Sequence, residues 1–226
     1  MRTIIFGDIH GCANAFSALL ERTAPIPGQD RLVLLGDLMD RGPDSWQVWQ
    51  TASALRQRFG QELTILTGNH ETYWLQPRPS LWMKHQHNRV GREATVQSFR
   101  KHGASTDALR DWLNGNLKPW YRGEGLQCVH AAVRVDPLES NDTYTLVHDH
   151  DAVLQNMYAG PLTVTGHISL QEATYFAGDG ETTRTLQPDT AYPLPDTGII
   201  CIDTGAGKGG CLTAMAVEAG RFVLLQ

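Results

Sequence analysis

The sequence predicts an α/β protein whose first sheet is parallel, and two features of the first 70 residues lead to this prediction. Three apolar runs, IIF, LVLL and TILT, alternate with two segments of helical patterning at 13–23 and 44–59. Strands that alternate with helices in this way are joined by crossover connections and lie parallel. Each run also stops at a glycine followed by a side chain that carries oxygen. Because right-handed crossovers bring the carboxyl ends of parallel strands to one edge, that edge is expected to collect polar side chains.

Polar residues follow five apolar runs in all. The first three runs lead into GDIH, GD and GN, and two later runs, LQCV and LTVT, are followed by histidine. The alternative is that Asp and Asn after glycine only form turns and that each histidine is solvated. Five coincidences at strand ends disfavour this alternative, so we expect the side chains to converge. The six residues are Asp8, His10, Asp37, Asn69, His130 and His167.

Two carboxylates, one amide and three imidazoles form a donor set that suits a pair of divalent first-row metals. Mn²⁺ is the expected ion, and Fe, Zn, Ni or Co would also fit this set. A carboxylate has two oxygens and can bridge two ions, and Asp37 on the middle strand is the candidate bridge. The four cysteines contain no C-x-x-C pair and are expected to be buried small hydrophobes without disulfides.

Five sequence blocks resemble the signature of the calcineurin-like metallophosphoesterases. They are GDIHG (7–11), GDLMDRG (36–42), GNHE (68–71), VHA (129–131) and TGH (165–167). More narrowly, they resemble the PPP-type branch, which includes bacterial and phage serine/threonine protein phosphatases and the symmetrical diadenosine-tetraphosphate hydrolases. The resemblance implies a four-layer αββα sandwich with a dinuclear metal site at the carboxyl ends of the strands. Five late runs, at 173–178, 183–187, 198–203, 211–217 and 221–226, are expected to form its second sheet.

The resemblance also implies roles for individual residues. His70 would be the general acid and Asp40 its carboxylate partner, and Arg41 would hold phosphate oxygens with its planar guanidinium. The alternative for the Asp40-Arg41 pair is an ordinary charged pair at a helix start. The implied metal ligands are Asp8 and His10 on one ion, Asp37 as the bridge, and Asn69, His130 and His167 on the other.

Two departures from the family pattern concern substrate binding. Thr67 stands immediately before GNHE, where protein phosphatases of this branch usually carry Arg, and the interval 135–166 contains no Arg or Lys. A basic stretch, LWMKHQHNRVGR, is expected to form a loop that covers the metals and supplies the missing charge. Its candidate residues are Lys84, His85, His87, Arg89 and Arg92, and of these Lys84, Arg89 and Arg92 are expected to hold the substrate. The alternative is a solvated loop without a role in binding.

Composition limits the remaining classes of function. With 226 residues, 41% hydrophobic content and no long linker rich in Pro, Ser or Gly, the chain is expected to form one catalytic domain over residues 1–226. The net charge of −5 gives no basic field for binding a nucleic acid duplex. No apolar window is long enough for a membrane span, and the first strand begins too early for a signal peptide, so no membrane contact and a cytoplasmic location are expected.

These observations predict a metal-dependent phosphomonoesterase that resembles serine/threonine phosphatases and acts on a phosphoprotein or a small phosphoester. A hydroxide bridging two metal ions would attack phosphorus, and His70 would protonate the leaving group. An alternative in the same family is hydrolysis of diadenosine tetraphosphate or another nucleoside polyphosphate. A remote alternative is a catalytically silent metal-binding scaffold, although a scaffold would need the ligands and not the acid.

Overall fold

The computed structural model describes all 226 residues, Met1–Gln226, and contains two β-sheets and eight α-helices. The strands are β1 (Arg2–Phe6), β2 (Asp30–Leu34), β3 (Leu63–Leu66), β4 (Leu117–Lys118), β5 (Tyr121–Gly123), β6 (Leu126–Cys128), β7 (Thr163–Thr165), β8 (Thr174–Phe176), β9 (Thr183–Thr185), β10 (Ala191–Pro193), β11 (Ile199–Cys201), β12 (Ala214–Glu218) and β13 (Arg221–Leu225). The helices are α1 (Ala13–Thr23), α2 (Ser45–Phe59), α3 (Asn69–Trp74), α4 (Leu81–Arg89), α5 (Arg92–Lys101), α6 (Thr106–Asn116), α7 (Thr143–His148) and α8 (Asp151–Leu154).

Both sheets combine parallel and antiparallel pairs. The first has seven strands in the order β10-β13-β12-β1-β2-β3-β4, and β1 to β4 are parallel, as the alternation of strands and helices predicts. The second has six strands in the order β5-β6-β7-β11-β8-β9, and its central β6, β7 and β11 are parallel. The predicted α/β (α+β) fold class with two sheets is confirmed.

Side-chain alternation along β1 places the first sheet between helices and the second sheet. Ile4 and Phe6 are fully buried on the helical side, where the Phe6 ring meets Phe16 of α1 edge-on with ring centroids 5.4 Å apart. Ile5 points the opposite way, because successive side chains of a strand alternate between faces. It belongs to the core between the two sheets, together with Ile200 of β11.

The second sheet is also covered on both faces. Ile200 faces the first sheet, whereas its neighbours Ile199 and Cys201 belong to a separate core with Leu146 of α7 and Val153 of α8. The layers therefore follow the order helices, sheet, sheet, helices. This is the αββα sandwich that the sequence analysis expects.

The five late runs all contain strands, but the prediction that they form the second sheet is wrong for the last two. β12 pairs antiparallel with β1, with Met215 opposite Ile5, and β13 pairs with β12 in the first sheet. β12 covers the edge of β1 that β2 leaves free, where unpaired backbone groups would otherwise remain. Met215 and Leu224 still enter the core between the sheets. The apolar alternation of β12 and β13 is therefore compatible with either sheet. Pairing of β12 with the free edge of β1 places both strands in the first sheet.

The prediction that the basic stretch is a loop is also wrong, because this stretch forms α4 and the start of α5. Ser80 caps α4, since its Oγ accepts a hydrogen bond from Met83 N at 3.2 Å. Gly91 separates the two helices with a φ of 106°, and a Cβ there would lie 2.5 Å from Arg41 N. The junction therefore requires glycine, and it packs directly on the GDLMDRG block.

Two further observations concern the sequence-based expectations. All four cysteines are free. Cys128 and Cys201 are buried as expected, but Cys12 is only half-buried and Cys211 is exposed, so the expectation of burial is wrong for Cys211 and only partly met by Cys12. No helix has both the length and the apolar character needed to cross a membrane.

A partly buried ion pair joins the starts of β1 and β2. Arg2 donates to both carboxylate oxygens of Asp30, from Nε at 2.9 Å and from Nη2 at 2.7 Å, and Nη2 also donates to the Thr23 carbonyl at the end of α1. The side chain of Asp30 is 5% exposed. The hydrogen bond from Arg2 holds the pKa of Asp30 below its ordinary value. Three elements of the first βαβ unit thus depend on one guanidinium.

Replacing Arg2 by methionine should lower the free energy of unfolding by about 1 to 3 kcal/mol at pH 7, because a buried carboxylate loses its charged partner. The folded-state pKa of Asp30 lies below its unfolded value, so this contribution is present above about pH 4 and is lost as the pH falls through the folded-state pKa. Urea unfolding at pH 7 and below pH 4 measures both effects. Arg110→Met, which removes an exposed pair with Asp107, is the control and should change stability little. Equal losses for the two variants would contradict the assignment.

Candidate active site

The carboxyl ends of strands from both sheets meet at one place, and all six predicted ligand residues lie there. The first sheet supplies four of them, at the ends of β1, β2 and β3, and the second sheet supplies two histidines after β6 and β7. Packing of the two sheets therefore assembles the group. The six residues are Asp8, His10, Asp37, Asn69, His130 and His167.

Asp37 occupies the centre of this group. Its Oδ2 is 3.4 Å from His10 Nε2, and its Oδ1 is 3.5 Å from His130 Nε2. Its carboxylate thus faces imidazoles from both sheets. Two groups of three side chains have possible ligand atoms within 4.8 Å of one another, and Asp37 belongs to both. The groups are His10, Asp37 and His70, and Asp37, His130 and His167. His70 is near enough to the first group to be counted with it, but the sequence analysis assigns it to proton donation and not to metal binding.

The three predicted histidine ligands are oriented by backbone carbonyl groups. In each ring, one nitrogen lies within hydrogen-bond distance of a carbonyl oxygen, which favours the tautomer that donates there and directs the lone pair of the other nitrogen into the cluster. In His10 this second nitrogen accepts a hydrogen bond from Arg41 Nη1. This arrangement is usual for histidines that bind metals, because it fixes both the tautomer and the ring. The contacts are His10 Nδ1 to Met39 at 2.9 Å, His130 Nδ1 to Leu35 at 2.8 Å, and His167 Nε2 to His148 at 3.2 Å.

In these tautomers, several acceptors face one another without a proton between them. Asn69 Oδ1 lies 3.1 Å from His130 Nε2 and 2.9 Å from His167 Nδ1, and all three atoms present lone pairs. Asp8 Oδ1 is buried and has no hydrogen-bond partner at all. Buried acceptors are normally paired, so a bound cation is the partner that this arrangement fits.

Glycines allow the carboxylates to come this close. A Cβ at Gly166 would lie 1.9 Å from Asp8 Oδ1, and a Cβ at Gly68 would lie 2.2 Å from Asp37 Oδ1. These are the glycines of TGH and GNHE. Their missing side chains leave room for the carboxylates, so the donor set and the space around it both fit a pair of divalent ions.

The electrostatic environment keeps the ligands in the protonation states that metals bind. Burial lowers the pKa of His10 and of His167 to about 3, so both rings are neutral at pH 7. Burial raises the pKa of Asp37, but its interactions with His130, His70 and His10 and the hydrogen bond from His70 N outweigh burial and hold this pKa far below its ordinary value. Asp8 differs, because burial and the neighbouring carboxylate of Asp203 raise its pKa. A divalent cation would favour its ionised form.

Backbone strain is concentrated at the same residues. Nine residues other than glycine have positive φ, and five of them are predicted site residues. Non-glycine residues rarely adopt this conformation, and it clusters at functional sites where surrounding structure enforces it. The five are His10 (44°), Asp37 (49°), Asp40 (70°), Arg41 (66°) and His167 (65°).

His70 and Asp40 form the pair that the sequence analysis expects. His70 Nδ1 is 2.8 Å from Asp40 Oδ2, and both side chains are fully buried. His70 Nε2 has no hydrogen-bond partner and lies 3.8 Å from Asp37 Oδ2, so it is directed toward the candidate ion positions. Burial lowers the pKa of His70, but Asp37 and Asp40 outweigh it and raise this pKa above its ordinary value. The pKa of Asp40 is lowered to about 2, because hydrogen bonds from its histidine partners outweigh burial.

Arg41 reaches the same site from the GDLMDRG block. Its Nη1 lies 2.8 Å from His10 Nε2, and its backbone N donates to the Gly91 carbonyl at 3.3 Å. The guanidinium thus lies beside a predicted metal ligand, and its binding of phosphate oxygens stays a prediction.

Glu71 is an important residue that the sequence analysis missed, although it belongs to the quoted GNHE block. Its carboxylate is fully buried and accepts hydrogen bonds from Asp37 N at 2.8 Å, Leu38 N at 2.9 Å and Gly68 N at 2.9 Å. It therefore fixes the loop after β2 to the start of α3. Burial raises the pKa of Glu71 to about 7. The signal available in the sequence was an acidic residue two positions after a predicted ligand.

Asp203 was also missed. It follows β11 in the segment IDTG, so it repeats the pattern of a strand followed by a carboxylate. The residue is 2% exposed, and its Oδ1 accepts a hydrogen bond from Gly205 N at 2.9 Å. The turn that follows packs on the site, since a Cβ at Gly207 would lie 2.6 Å from His10 Cβ.

The three basic residues predicted to contact substrate do not all lie in one place. Lys84 and Arg92 line a cavity of about 350 Å³ between the helices that follow β3, whereas Arg89 does not. Arg92 lies over the Trp74 ring, with Cζ 5.3 Å from the ring centroid. Trp74 Nε1 in turn donates to Asp40 Oδ1 at 3.1 Å. The cavity therefore lies next to the carboxylate that pairs with His70. The role of Lys84, Arg89 and Arg92 in substrate binding stays a prediction.

The chain matches a family model described as "calcineurin-like phosphoesterase" over residues 1–194. Among curated relatives, it is 32% identical over 128 residues to the symmetrical bis(5'-nucleosyl)-tetraphosphatase of Azotobacter vinelandii, covering 56% of this chain and 42% of that protein. The enzyme of the same name from Delftia acidovorans is 31% identical over 160 residues, covering 69% of this chain and 53% of that protein. The matches thus span about half the length of these relatives.

Solved structures share the fold at low sequence identity. A metallophosphoesterase from Sphaerobacter thermophilus is similar with a TM-score of 0.66 and 15% identity, covering 99% of this chain and 87% of that one. A protein serine/threonine phosphatase from Saccharomyces cerevisiae is similar with a TM-score of 0.60 and 12% identity, covering 100% of this chain and 79% of that one.

The shared position of Asp37 predicts two linked ion sites. Titration calorimetry with Mn²⁺ should give about two equivalents for the wild-type protein, and the bound ions should raise its thermal midpoint. Asp37→Asn should weaken both sites, whereas His10→Asn should weaken one. The exposed His85 provides the control, because His85→Asn should keep both equivalents. A stoichiometry unaffected by Asp37→Asn would contradict the bridging role.

Proposed function

Because the chain belongs to the calcineurin-like phosphoesterase family, we propose that it is a hydrolase that uses two divalent ions to cleave a dinucleoside polyphosphate. The single observation that carries a hydrolytic function is the combination of the Asp37-centred ligand cluster with the buried His70–Asp40 pair. A silent scaffold would need the cluster and not the pair. We propose a single catalytic domain, Mn²⁺ as the working ion and the cytoplasm as the location, as expected from the sequence.

The six ligand residues named above would hold the ions. Bound there, divalent ions would neutralise the charge on phosphate oxygens and lower the pKa of an attacking water. Arg41 would orient the phosphate, because its guanidinium offers paired donors that match two oxygens.

His70 would supply the proton to the leaving group. Its Nδ1–H is held by Asp40, so Nε2 is the nitrogen that faces the reacting centre. Asp40 and Asp37 raise the pKa of His70, which favours the imidazolium form needed in an acid. Asp40 therefore both orients the ring and stabilises its charge.

A dinucleoside polyphosphate is the preferred substrate for two reasons. The curated relatives are named symmetrical bis(5'-nucleosyl)-tetraphosphatases. Thr67 stands where protein phosphatases usually carry Arg, and the interval 135–166, where they usually carry a second phosphate-binding Arg, contains no Arg or Lys. Two customary phosphate contacts are therefore missing. Lys84 and Arg92, which line the cavity between the helices that follow β3, would bind the additional negative charges of a polyphosphate.

A phosphoprotein monoester, which the sequence analysis placed first, remains the second candidate. The observation that favours it is the buried proton donor, because an alkoxide leaving group needs a proton more than a nucleotide phosphate does. The relatives support it less well than the nucleotide.

A substrate panel with Mn²⁺ tests the proposal. Diadenosine tetraphosphate should give a kcat/KM at least tenfold above that for a phosphoserine peptide or a phosphotyrosine peptide. Product analysis by anion exchange should show two molecules of ADP, as symmetrical cleavage requires. A higher kcat/KM for the phosphoserine peptide would replace the proposal by its second candidate, and activity that survives exhaustive chelation would remove the metal-dependent mechanism.

His70→Asn should lower kcat by about 10² to 10⁴ for phenyl phosphate while both ions stay bound. The loss should be smaller for 4-nitrophenyl phosphate, whose leaving group needs less protonation. Steady-state kinetics with metal analysis on the same samples measures both effects. His102→Asn, outside the site and stacked on Trp46, is the matched control and should leave the two kcat values unchanged. Equal losses for both esters would indicate that His70 only positions the substrate.

A further inference from the structure

The Asp40 carboxylate accepts four hydrogen bonds, two at each oxygen. Oδ1 receives Trp74 Nε1 at 3.1 Å and Thr95 Oγ1 at 2.9 Å. Oδ2 receives two imidazole nitrogens, His70 Nδ1 at 2.8 Å and His87 Nε2 at 2.8 Å. The proposed acid therefore shares its carboxylate oxygen with a second histidine.

His87 belongs to α4, whose other residues are mostly exposed. It is the one buried residue of that helix, at 4% exposure, whereas Leu81 and Trp82 of the same helix are 86% and 67% exposed. A helix that docks only by the hydrophobic effect would bury its apolar residues instead. α4 docks with an imidazole that reaches the active-site carboxylate.

Aromatic neighbours hold the His87 ring in place. Tyr73 stacks on it with ring centroids 5.0 Å apart and an interplanar angle of 16°, and Trp74 meets it edge-on at 4.7 Å and 82°. Both neighbours belong to α3, the helix that also carries His70. The N–H of His87 is thus aimed at Asp40 by a ring that packs against two aromatic side chains.

We propose that His87 is a positioning residue for catalysis, which fixes the Asp40 carboxylate so that Asp40 can hold His70 toward the reacting phosphate. This inference rests on the proposed function of His70 as the acid. Without the donor from His87, Oδ2 would keep only His70, and the carboxylate could turn away from the geometry that directs His70 Nε2. The hydrogen-bond partner of the His87 side chain is Asp40, and no predicted metal ligand bonds to it. Any effect of His87 on catalysis therefore passes through Asp40.

Two substitutions separate the hydrogen bond from the packing. His87→Phe keeps a ring between Tyr73 and Trp74 but removes the donor, and His87→Gln removes the ring but keeps an N–H donor near the position of Nε2. With phenyl phosphate, His87→Phe should lower kcat by about 10- to 100-fold, a loss typical of residues that orient catalytic groups, with KM unchanged. His87→Gln should restore kcat to within a few fold of wild type. His87→Met, of similar length and without a donor, replaces the Phe variant if circular dichroism shows that the latter does not fold.

A double variant tests whether His87 acts through His70. His70→Asn combined with His87→Phe should lose no more kcat than His70→Asn alone, because two residues of one unit are not additive. Additive losses, equal losses for the Phe and Gln variants, or an unchanged kcat for the Phe variant would each overturn the proposal for His87. If His70→Asn itself lacks the expected dependence on the leaving group, the acid role fails instead. The two failures are therefore distinguishable.

Discussion

The burial of several carboxylates within one small volume is the constraint on which the rest of this structure depends. Each buried charge needs compensation, because transfer from water to a low-dielectric interior is costly. Glu71 is compensated by three backbone N–H groups, Asp40 by four side-chain donors, and Asp37 by surrounding imidazoles and the His70 backbone N. Asp8 retains an unpartnered oxygen. The remaining deficit is concentrated where divalent ions would bind, so the need for compensation and the capacity for catalysis have the same origin.

The two-sheet architecture makes this concentration possible. Parallel strands of each sheet end at the same edge, and the apolar core between the sheets brings the two edges together. His10 and His130 therefore approach Asp37 from different sheets. The chain accepts left-handed backbone conformations at the ligand-bearing turns, and glycines at Gly68 and Gly166 admit the carboxylates. Rigid strands thus hold strained turns whose side chains meet at one point.

The helical segment after β3 links the reacting centre to a part of the chain that lies outside the family-like blocks. α3, α4 and α5 each donate to Asp40, through His70 and Trp74, His87 and Thr95. The cavity lined by Lys84 and Arg92 lies among these same helices. Under the proposed function, the residues predicted to contact substrate and the residues that hold Asp40 therefore belong to one structural unit.

The sequence by itself determined the alternation of strands and helices, the boundaries of α1, and the polar residues at strand ends, because side-chain period and the chemistry of metal ligands are local properties. The family resemblance added the αββα layers, which local patterns alone do not fix. Only the tertiary structure decided that β12 and β13 join the first sheet, since their apolar faces reach the core between the sheets from either side and the free edge of β1 selects the pairing. Likewise, LWMKHQHNRVGR shows no apolar helical stripe, because α4 buries His87 against Asp40, a contact 47 residues apart in the chain. The contacts of Glu71 with Asp37 and Leu38, and of His87 with Asp40, join residues 33 to 47 positions apart, so no local pattern predicts them.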